Sequence, residues 1–570
     1  MEENERTTKL ILRFIKRNLV LLFSIVVFVF LFFYFTIHAA GPWGSDELLY
    51  ADAGLRGYGN YIVMNRYTHI YLQLFFMSLA PTPLIGMRFF WGFIMSVTSV
   101  SVFLLGRYIT TKSNFIHGIF ALLIFLATNL FWLYFGVPIV DLTAMMMVTI
   151  YLLVLVYFMR RNQAKWVVVL LGFLFFFSFK TKEFAVILLV TLPIFGFEEP
   201  RVFKFRRLLS FILYYLLGIG VGVLLFIGLN AIVINDPLFG LRFSDWITFR
   251  QTIASFTHLK PDPDSYLKKL MFSVFYLPFT LYLLGAIKKR DSISTAEYFI
   301  WLSPLIYIVM MTLTMIQSGW RTDERYIYPI IALVCALAPQ FFTFPLPENR
   351  KEWIKFSIYL ASAVIGFLLI RQSIYWFTSL IQMSFSSFVL NYVLDIFFLI
   401  LLGGMILIHD EKLPNSAVLI FFLIMNLYFP LSINVKTSMR GDNAEKVSKR
   451  FAPISAFRGE GNICETTTIE MTPQVLDAMR IGPDPNEAAA MVNVFYDYRL
   501  PNNGFGFFDE NTPLIDSLQE SNADYILMGA SEWQKIMQYN PDFELERYSL
   551  IHEPLDKYVL LESIDKTTCP

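Results

Sequence analysis

The sequence is poor in charge: of 570 residues only 16% are Asp, Glu, Lys or Arg, while 56% are hydrophobic and 17% aromatic. That balance excludes an ordinary soluble domain and points to an integral membrane protein. Basic excess is lacking as well, with a formal net charge of +1. Without clustered basic surface there is no footprint for a nucleic acid. Cysteine is scarce, three in all. Cys335 lies in an apolar run; Cys464 and Cys569 lie in a polar tail, where they could pair if the tail is extracytoplasmic, but two cysteines make no disulfide framework. Six histidines stand without metal-ligand spacing, and there is no Walker-type glycine-rich loop, no HExxH and no GxSxG. Internal repeats and low-complexity segments are also lacking. No small-residue cleavage site follows the first apolar run, Leu19 to Ile37, which therefore reads as a span rather than a secretory signal.

What is abundant is long apolar runs. A helix that crosses a bilayer needs about 20 mostly apolar residues, and this length divides the chain into roughly 13 spans. The expected spans are 19–38, 84–106, 114–134, 141–159, 165–179, 184–198, 208–232, 268–287, 294–315, 326–344, 353–372, 388–408 and 415–433. The pair within 165–198 is one hydrophobic block interrupted only by Lys180, Thr181, Lys182 and Glu183. Lys9, Arg13, Lys16 and Arg17 precede the first span and place the N-terminus in the cytoplasm, where short loops carry excess Lys and Arg. The alternation then predicts inside loops at Arg107 to Lys112, Arg160 to Lys165, Arg201 to Arg207, Lys288 to Arg290, Arg350 to Lys351 and His409 to Pro414, all basic except the last.

The expected fold class is an all-α polytopic membrane domain, residues 1–433, with a first extracytoplasmic loop at 39–83. A small extracytoplasmic α/β domain, 434–570, follows, because apolar runs shrink there and strand-like "ADYILMG" and "KYVLLESI" flank helix-like stretches such as "TPLIDSLQES". Two outside segments are apolar yet too short to span, "IYLQLFFMSLA" (Ile70 to Ala80) and residues 241–259 with Trp246, Phe249 and Phe256. Both read as helices lying in the interface, a cradle for a lipid-linked molecule.

Chemistry-bearing residues gather on the outside. Asp46 and Glu47 stand in "GPWGSDELLYADAG", at the exit of the first span, where a carboxylate can accept a proton or bind a cation; the plain alternative is a polar loop beside a membrane. Asp141 in "FGVPIVDLTAMMM" sits at the mouth of a span among apolar side chains. Ionisable groups at membrane depth are expensive and mark a cavity or path; a helix cap is the structural alternative. Arg66 and His69 in "NRYTHIY", Lys182 in "FKTKEF", and Arg321 and Arg325 in "GWRTDERYIYP" are outside, against the usual bias of Lys and Arg. Phosphate is a natural partner for them, while Asp323 and Glu324 offer Arg321 and Arg325 a local ion-pair cluster instead.

These stretches, in their order and spacing, resemble the bacterial members of glycosyltransferase superfamily C, closest to the branch of protein O-mannosyltransferases and aminoarabinose transferases (family 39-like). The resemblance covers about residues 10–345. It implies a GT-C membrane enzyme that takes a sugar from a polyprenyl-phosphate donor and places it on an extracytoplasmic lipid, glycan or protein acceptor. It further implies that Asp46 is the first-loop catalytic carboxylate, Asp141 the second acidic position, Lys182 the lysine of a "TK" motif, and Arg325 with Tyr326 the "RY" before a later span. Relatives carry a basic residue in a "KP" pair where this chain has "RYTH", which brings in His69 beside Arg66.

Displacement at an anomeric carbon needs a base for the acceptor proton and positive charge for the leaving phosphate. Asp46 is the expected base, and Arg66, Lys182, Arg321 and Arg325 the expected phosphate clamp. A single displacement with one carboxylate base inverts the sugar, whereas retention needs a second close carboxylate as nucleophile. A divalent cation, Mg or Mn, between Asp46 and Asp141 stays open as an alternative. The rival class is a transporter or flippase of lipid-linked sugars, which favours midplane sites and internal repeats that this sequence lacks.

Overall fold

In the computed structural model the described residues are 2–42, 45–56, 65–110, 115–128, 136–160, 164–199, 202–255, 294–318, 324–341, 467–479, 485–496, 505–509, 512–539, 547–552 and 558–564, with short helical pieces within 278–286, 350–361 and 445–453. The expected spans 388–408 and 415–433, most of 353–372, and Cys464 and Cys569 lie outside them.

The N-terminal part is helical. In chain order it comprises α1 (Glu2–Ile37), α2 (Ser45–Arg56), α3 (Tyr67–Leu79), α4 (Pro83–Tyr108), α5 (Phe115–Ala127), α6 (Val140–Arg160), α7 (Lys165–Phe179), a 3-10 helix (Glu183–Gly196), α8 (Phe205–Val233), α9 (Phe243–Ser255), α10 (Thr295–Ser318) and α11 (Tyr328–Leu337). Between the 3-10 helix and α8 runs a short hairpin, β1 (Phe197–Glu199) with β2 (Val202–Phe203). Among the described residues five stretches are long and apolar enough to cross a bilayer: Asn18–Ile37, Pro83–Tyr108, Val140–Arg160, Phe205–Val233 and Thr295–Leu313.

Local sequence explains the ends of the central helices. At the start of α4 the Thr82 hydroxyl accepts a hydrogen bond from the Ile85 N–H at 3.3 Å, and Pro83, which has no N–H to orphan, opens the first turn. Arg107 and Arg160 in the last turns of α4 and α6 complement the carbonyl ends of those helices. α4 and α6 are largely buried and form the centre of the bundle; α1 and α8 are largely exposed on their apolar faces and form its outside.

The block 165–198 is divided at Lys180 to Lys182, as its composition suggests, but the second piece is not an α-helix. Its 14 residues wind as a 3-10 helix with Pro193 inside. At about 2.0 Å of rise per residue such a helix reaches about 28 Å, close to the thickness of a bilayer's hydrocarbon core.

Residues 469–563 form a five-stranded sheet with helices. The elements are β3 (Ile469–Met471), α12 (Pro473–Met479), α13 (Pro485–Tyr496), β4 (Phe505–Phe507), α14 (Leu514–Glu520), β5 (Tyr525–Gly529), α15 (Ala530–Tyr539), β6 (Tyr548–His552) and β7 (Tyr558–Ser563). The strand order is β4-β3-β5-β7-β6; β3 pairs parallel with β4 and β5, and β7 pairs antiparallel with β5 and β6. β5 is buried at all five positions, as a central strand covered on both faces should be.

Two hydrophobic clusters bear on function. The larger joins α1, α3 to α8, α10 and α11. A second joins Leu48 and Ala51 of α2 and Met77 and Met87 beside it to the strands and helices of the sheet region. α2 lies between them.

Candidate active site

Two backbone contacts organise one end of the bundle. The N–H groups of Ala40 and Gly41, just past α1, both donate to the Gly136 carbonyl at 3.0 Å. Gly41 and Gly136 have φ of 107° and 82°, and a Cβ on Gly136 would meet the Ala40 nitrogen at 2.4 Å. Only glycine accepts both the left-handed backbone and that approach. The chain leading into α2, with Asp46 and Glu47, is thereby tied to the chain leading into α6, with Asp141.

α3 makes the second connection. The Thr68 hydroxyl donates to the Phe177 carbonyl at 2.7 Å, and the Thr68 N–H donates to the Lys180 carbonyl at 3.4 Å, so the start of α3 is seated on the end of α7. This brings Arg66 to Glu183 and His69 to α6. Arg66 donates to Glu183 Oε1 at 3.0 Å and to the Asn65 carbonyl at 3.1 Å; Asn65 Nδ2 donates to the same carboxylate oxygen at 3.1 Å. Burial works against the Arg66 charge, but Glu183 first, then Tyr50 and Asp141, outweigh it and hold the guanidinium above its ordinary value.

Lys182, the neighbour of Glu183, forms a buried ion pair with Asp141 Oδ1; the two side chains are 5% and 1% exposed. Its Nζ lies 4.6 Å from the centre of the Tyr326 ring and 5.6 Å from that of Phe184, cation-π distances that help an ammonium out of water. Asp141 Oδ2 is buried with no hydrogen-bond partner among the described residues. Asp141 stands in the first turn of α6, but its described bond goes to a lysine of another segment and not to its own helix. The order Arg66, Glu183, Lys182, Asp141 thus alternates in sign across one buried junction of α3, α6 and α7.

His69 faces elsewhere. Its Nδ1 shares a hydrogen bond of 2.7 Å with Thr143 Oγ1, two residues after Asp141 on α6, and its ring meets those of Tyr50 at 5.7 Å and Phe90 at 5.0 Å. Burial above all, then the charge of Arg66, pushes this imidazole down to about 3, so it is neutral at physiological pH. It links α2, α3 and α6. Lys180, at the end of α7, donates to the Gly240 carbonyl at 2.7 Å and lies 5.4 Å from the centre of the Trp246 ring, which anchors α9 beside the site.

Of the residues expected from sequence, Arg66, Asp141, Lys182 and Tyr326 are therefore set around one junction, and His69 packs beside it against Thr143, Tyr50 and Phe90. Glu47 is buried on α2. Asp46 lies in the first turn of α2 and Arg325 in a short 3-10 helix (Glu324–Ile327), but their side chains, and Arg321 altogether, are outside the described residues. Glu183, Asn65 and Thr143 escaped the sequence reading; the adjacency of Glu183 to Lys182 in "TKE" was the available signal, since a buried lysine neighbour needs a counter-charge. No three His, Cys, Asp or Glu side chains gather as a metal would require among the described residues. Asp141 already holds an ammonium through Oδ1, and the side chain of Asp46, the other expected ligand of a divalent cation, lies outside the described residues.

No protein-family model matches the chain, and no curated protein matches it. Solved structures do. ArnT from Cupriavidus metallidurans bound to undecaprenyl phosphate matches with a TM-score of 0.56 at 12% identity, covering 97% of this chain and 99% of that one. The same protein in its apo state matches with a TM-score of 0.54 at 12% identity, covering 97% and 98%. At this identity the likeness is one of architecture, and it extends over nearly the whole chain: this membrane protein has the GT-C fold, as the resemblance in its sequence implied.

Proposed function

We propose that the chain is a membrane glycosyltransferase that moves a sugar from a polyprenyl-phosphate donor to a lipid, glycan or protein acceptor on the extracytoplasmic side. The observation that carries this reading is the buried Arg66, Glu183, Lys182, Asp141 alternation within a GT-C fold whose solved counterpart binds undecaprenyl phosphate. Cations buried at a helix junction are costly unless something anionic repays their desolvation. Glu183 and Asp141 do so in the protein as it stands, and they hold the guanidinium and ammonium in place. A donor phosphate arriving at the same junction would take charge-assisted hydrogen bonds from both, with Arg321 and Arg325 completing the clamp.

In this mechanism Asp46, with Glu47 beside it, takes the acceptor's proton as the acceptor oxygen attacks the anomeric carbon. The carbon–phosphate-oxygen bond breaks, and Arg66 and Lys182 stabilise the charge that develops on the leaving phosphate. One displacement inverts the sugar. The same reading has roughly 13 spans in the first 433 residues, the N-terminus in the cytoplasm, and residues 434–570 outside as a small α/β domain.

The test is transfer of labelled sugar from a panel of polyprenyl-phosphate sugars by wild-type protein and Asp46→Asn at matched expression. Wild-type transfer that is lost in the variant, with inverted product, is the expected outcome. Equal transfer by both removes Asp46 from the chemistry, a retained anomer refutes the single displacement, and no wild-type transfer from any donor favours a flippase.

A further inference from the structure

The sheet region is not an appendage to the bundle. In α13 the six consecutive residues Ala488 to Asn493 are each 0% exposed. Six successive positions go more than once around a helix, so this stretch of α13 is covered on every side. A helix at the edge of a freestanding domain keeps a solvent face. Here one side of α13 packs in the cluster with the sheet residues Ile469 and Phe505, and the other packs against α2 and α4. The run of alanines lets the helices approach closely.

α2 is correspondingly two-faced. Tyr50 and Ala53 belong to the cluster of the membrane bundle, while Leu48 and Ala51 belong to the cluster of the sheet region. Asp52, 1% exposed, accepts a hydrogen bond of 2.9 Å from Asn493 Nδ2, which is itself fully buried. A carboxylate has little reason to be buried in an apolar contact unless the bond it makes there fixes a geometry. The distance in sequence is 441 residues. The bond falls on the helix whose first turn carries Asp46 and Glu47.

We propose that Asp52 and Asn493 are positioning residues: their buried hydrogen bond clamps the sheet region onto α2 and so holds Asp46 and Glu47 at the mouth of the site. The catalytic half of this inference rests on the glycosyltransferase reading; the clamp itself does not. A displacement of about 1 Å in a reacting group can lower a rate about a hundredfold, which is the scale on which such a clamp acts. Its loss should lower kcat and leave donor binding, made by α3, α6 and α7, nearly intact.

The experiment is hydrogen exchange with kinetics on the full chain in nanodiscs, for wild type, Asn493→Ala, and the exchanged pair Asp52→Asn/Asn493→Asp, which presents the same bond reversed. In Asn493→Ala, exchange across 45–56 should rise about tenfold while β5 stays protected, and kcat should fall by about tenfold to a hundredfold with donor KM within about threefold. The exchanged pair should recover both. Wild-type protection of α2 in Asn493→Ala overturns the clamp, as does an exchanged pair that keeps β5 protected yet leaves α2 exposed to exchange. Altered α2 with unchanged kcat overturns the positioning role. A wild-type protein that transfers no sugar defeats the glycosyltransferase reading alone, and the exchange data still decide the clamp.

Discussion

In the sheet region, Asp524 takes hydrogen bonds from the Thr468 N–H at 2.7 Å and the Thr468 hydroxyl at 2.9 Å, and Glu532 takes them from the N–H groups of Gly529 and Gln474 at 3.0 and 3.1 Å and from the Thr472 hydroxyl. At the membrane junction, Asp141 faces the Lys182 ammonium through one oxygen and leaves the other buried without a hydrogen-bond partner among the described residues. The first pair of carboxylates is satisfied by neutral donors at the ends of strands and helices. Such groups tie loops together and need nothing more. The junction carboxylates each face a buried cation, Asp141 the Lys182 ammonium and Glu183 the Arg66 guanidinium, in a setting where a second anion would compete for the same cations. Saturation by neutral donors is what a structural role requires; under the proposed function, the buried charge at the junction is what a donor phosphate would engage.

Breaking that balance should have the largest effect. Lys182→Met leaves the Asp141 carboxylate buried and unpaired, so the protein should lose about 3–5 kcal/mol of stability together with the transfer activity proposed for it. Adding Asp141→Leu should recover thermal stability in detergent, since an apolar pair of similar volume replaces the ions, but not transfer. Recovered transfer in the double variant would mean that the charges serve the fold alone.

The opposite pattern is expected in the sheet. Glu532→Ala removes one acceptor from three donors and should cost about 1–3 kcal/mol, seen as a lower unfolding temperature, while kcat per folded molecule stays as in wild type. A change in donor KM would show that the sheet region reaches the donor site and would blur the contrast.

A smaller effect sharpens it further. Burial first, and then Arg66, push His69 down to about 3, below its ordinary value of 6.5. Between those values the unfolded chain binds a proton that the folded chain does not, so stability rises with pH: it is complete above about 6.5 and falls as pH drops through the window toward about 3. Going from pH 7.5 to 5.5 should cost about 1 kcal/mol through this residue, and His69→Gln should flatten that slope in thermal unfolding at the two pH values. An unchanged slope would place the pH sensitivity elsewhere.

Much of the scaffold was legible in the chain because hydropathy is a property of a segment. The runs behind α4 and α6 were delimited to within a few residues, and Asp141 and Lys182 stood out as charges in apolar surroundings. The 3-10 winding of 183–196 was not legible, because an apolar run states that it is buried and not how tightly it coils. Nor were the partners. Arg66 meets Glu183 across 117 residues and His69 meets Thr143 across 74; each depends on Thr68 seating α3 on the end of α7. The sequence by itself determined that the chain lives in a membrane, where its apolar runs lie, and which charges sit against the grain of that setting, since the transfer of each side chain from water depends on local composition. Which charges face one another, that His69 braces α6, and that Asn493 reaches back to Asp52 were decided only by tertiary structure, because two side chains far apart in the chain come to share a low-dielectric contact only when whole helices pack.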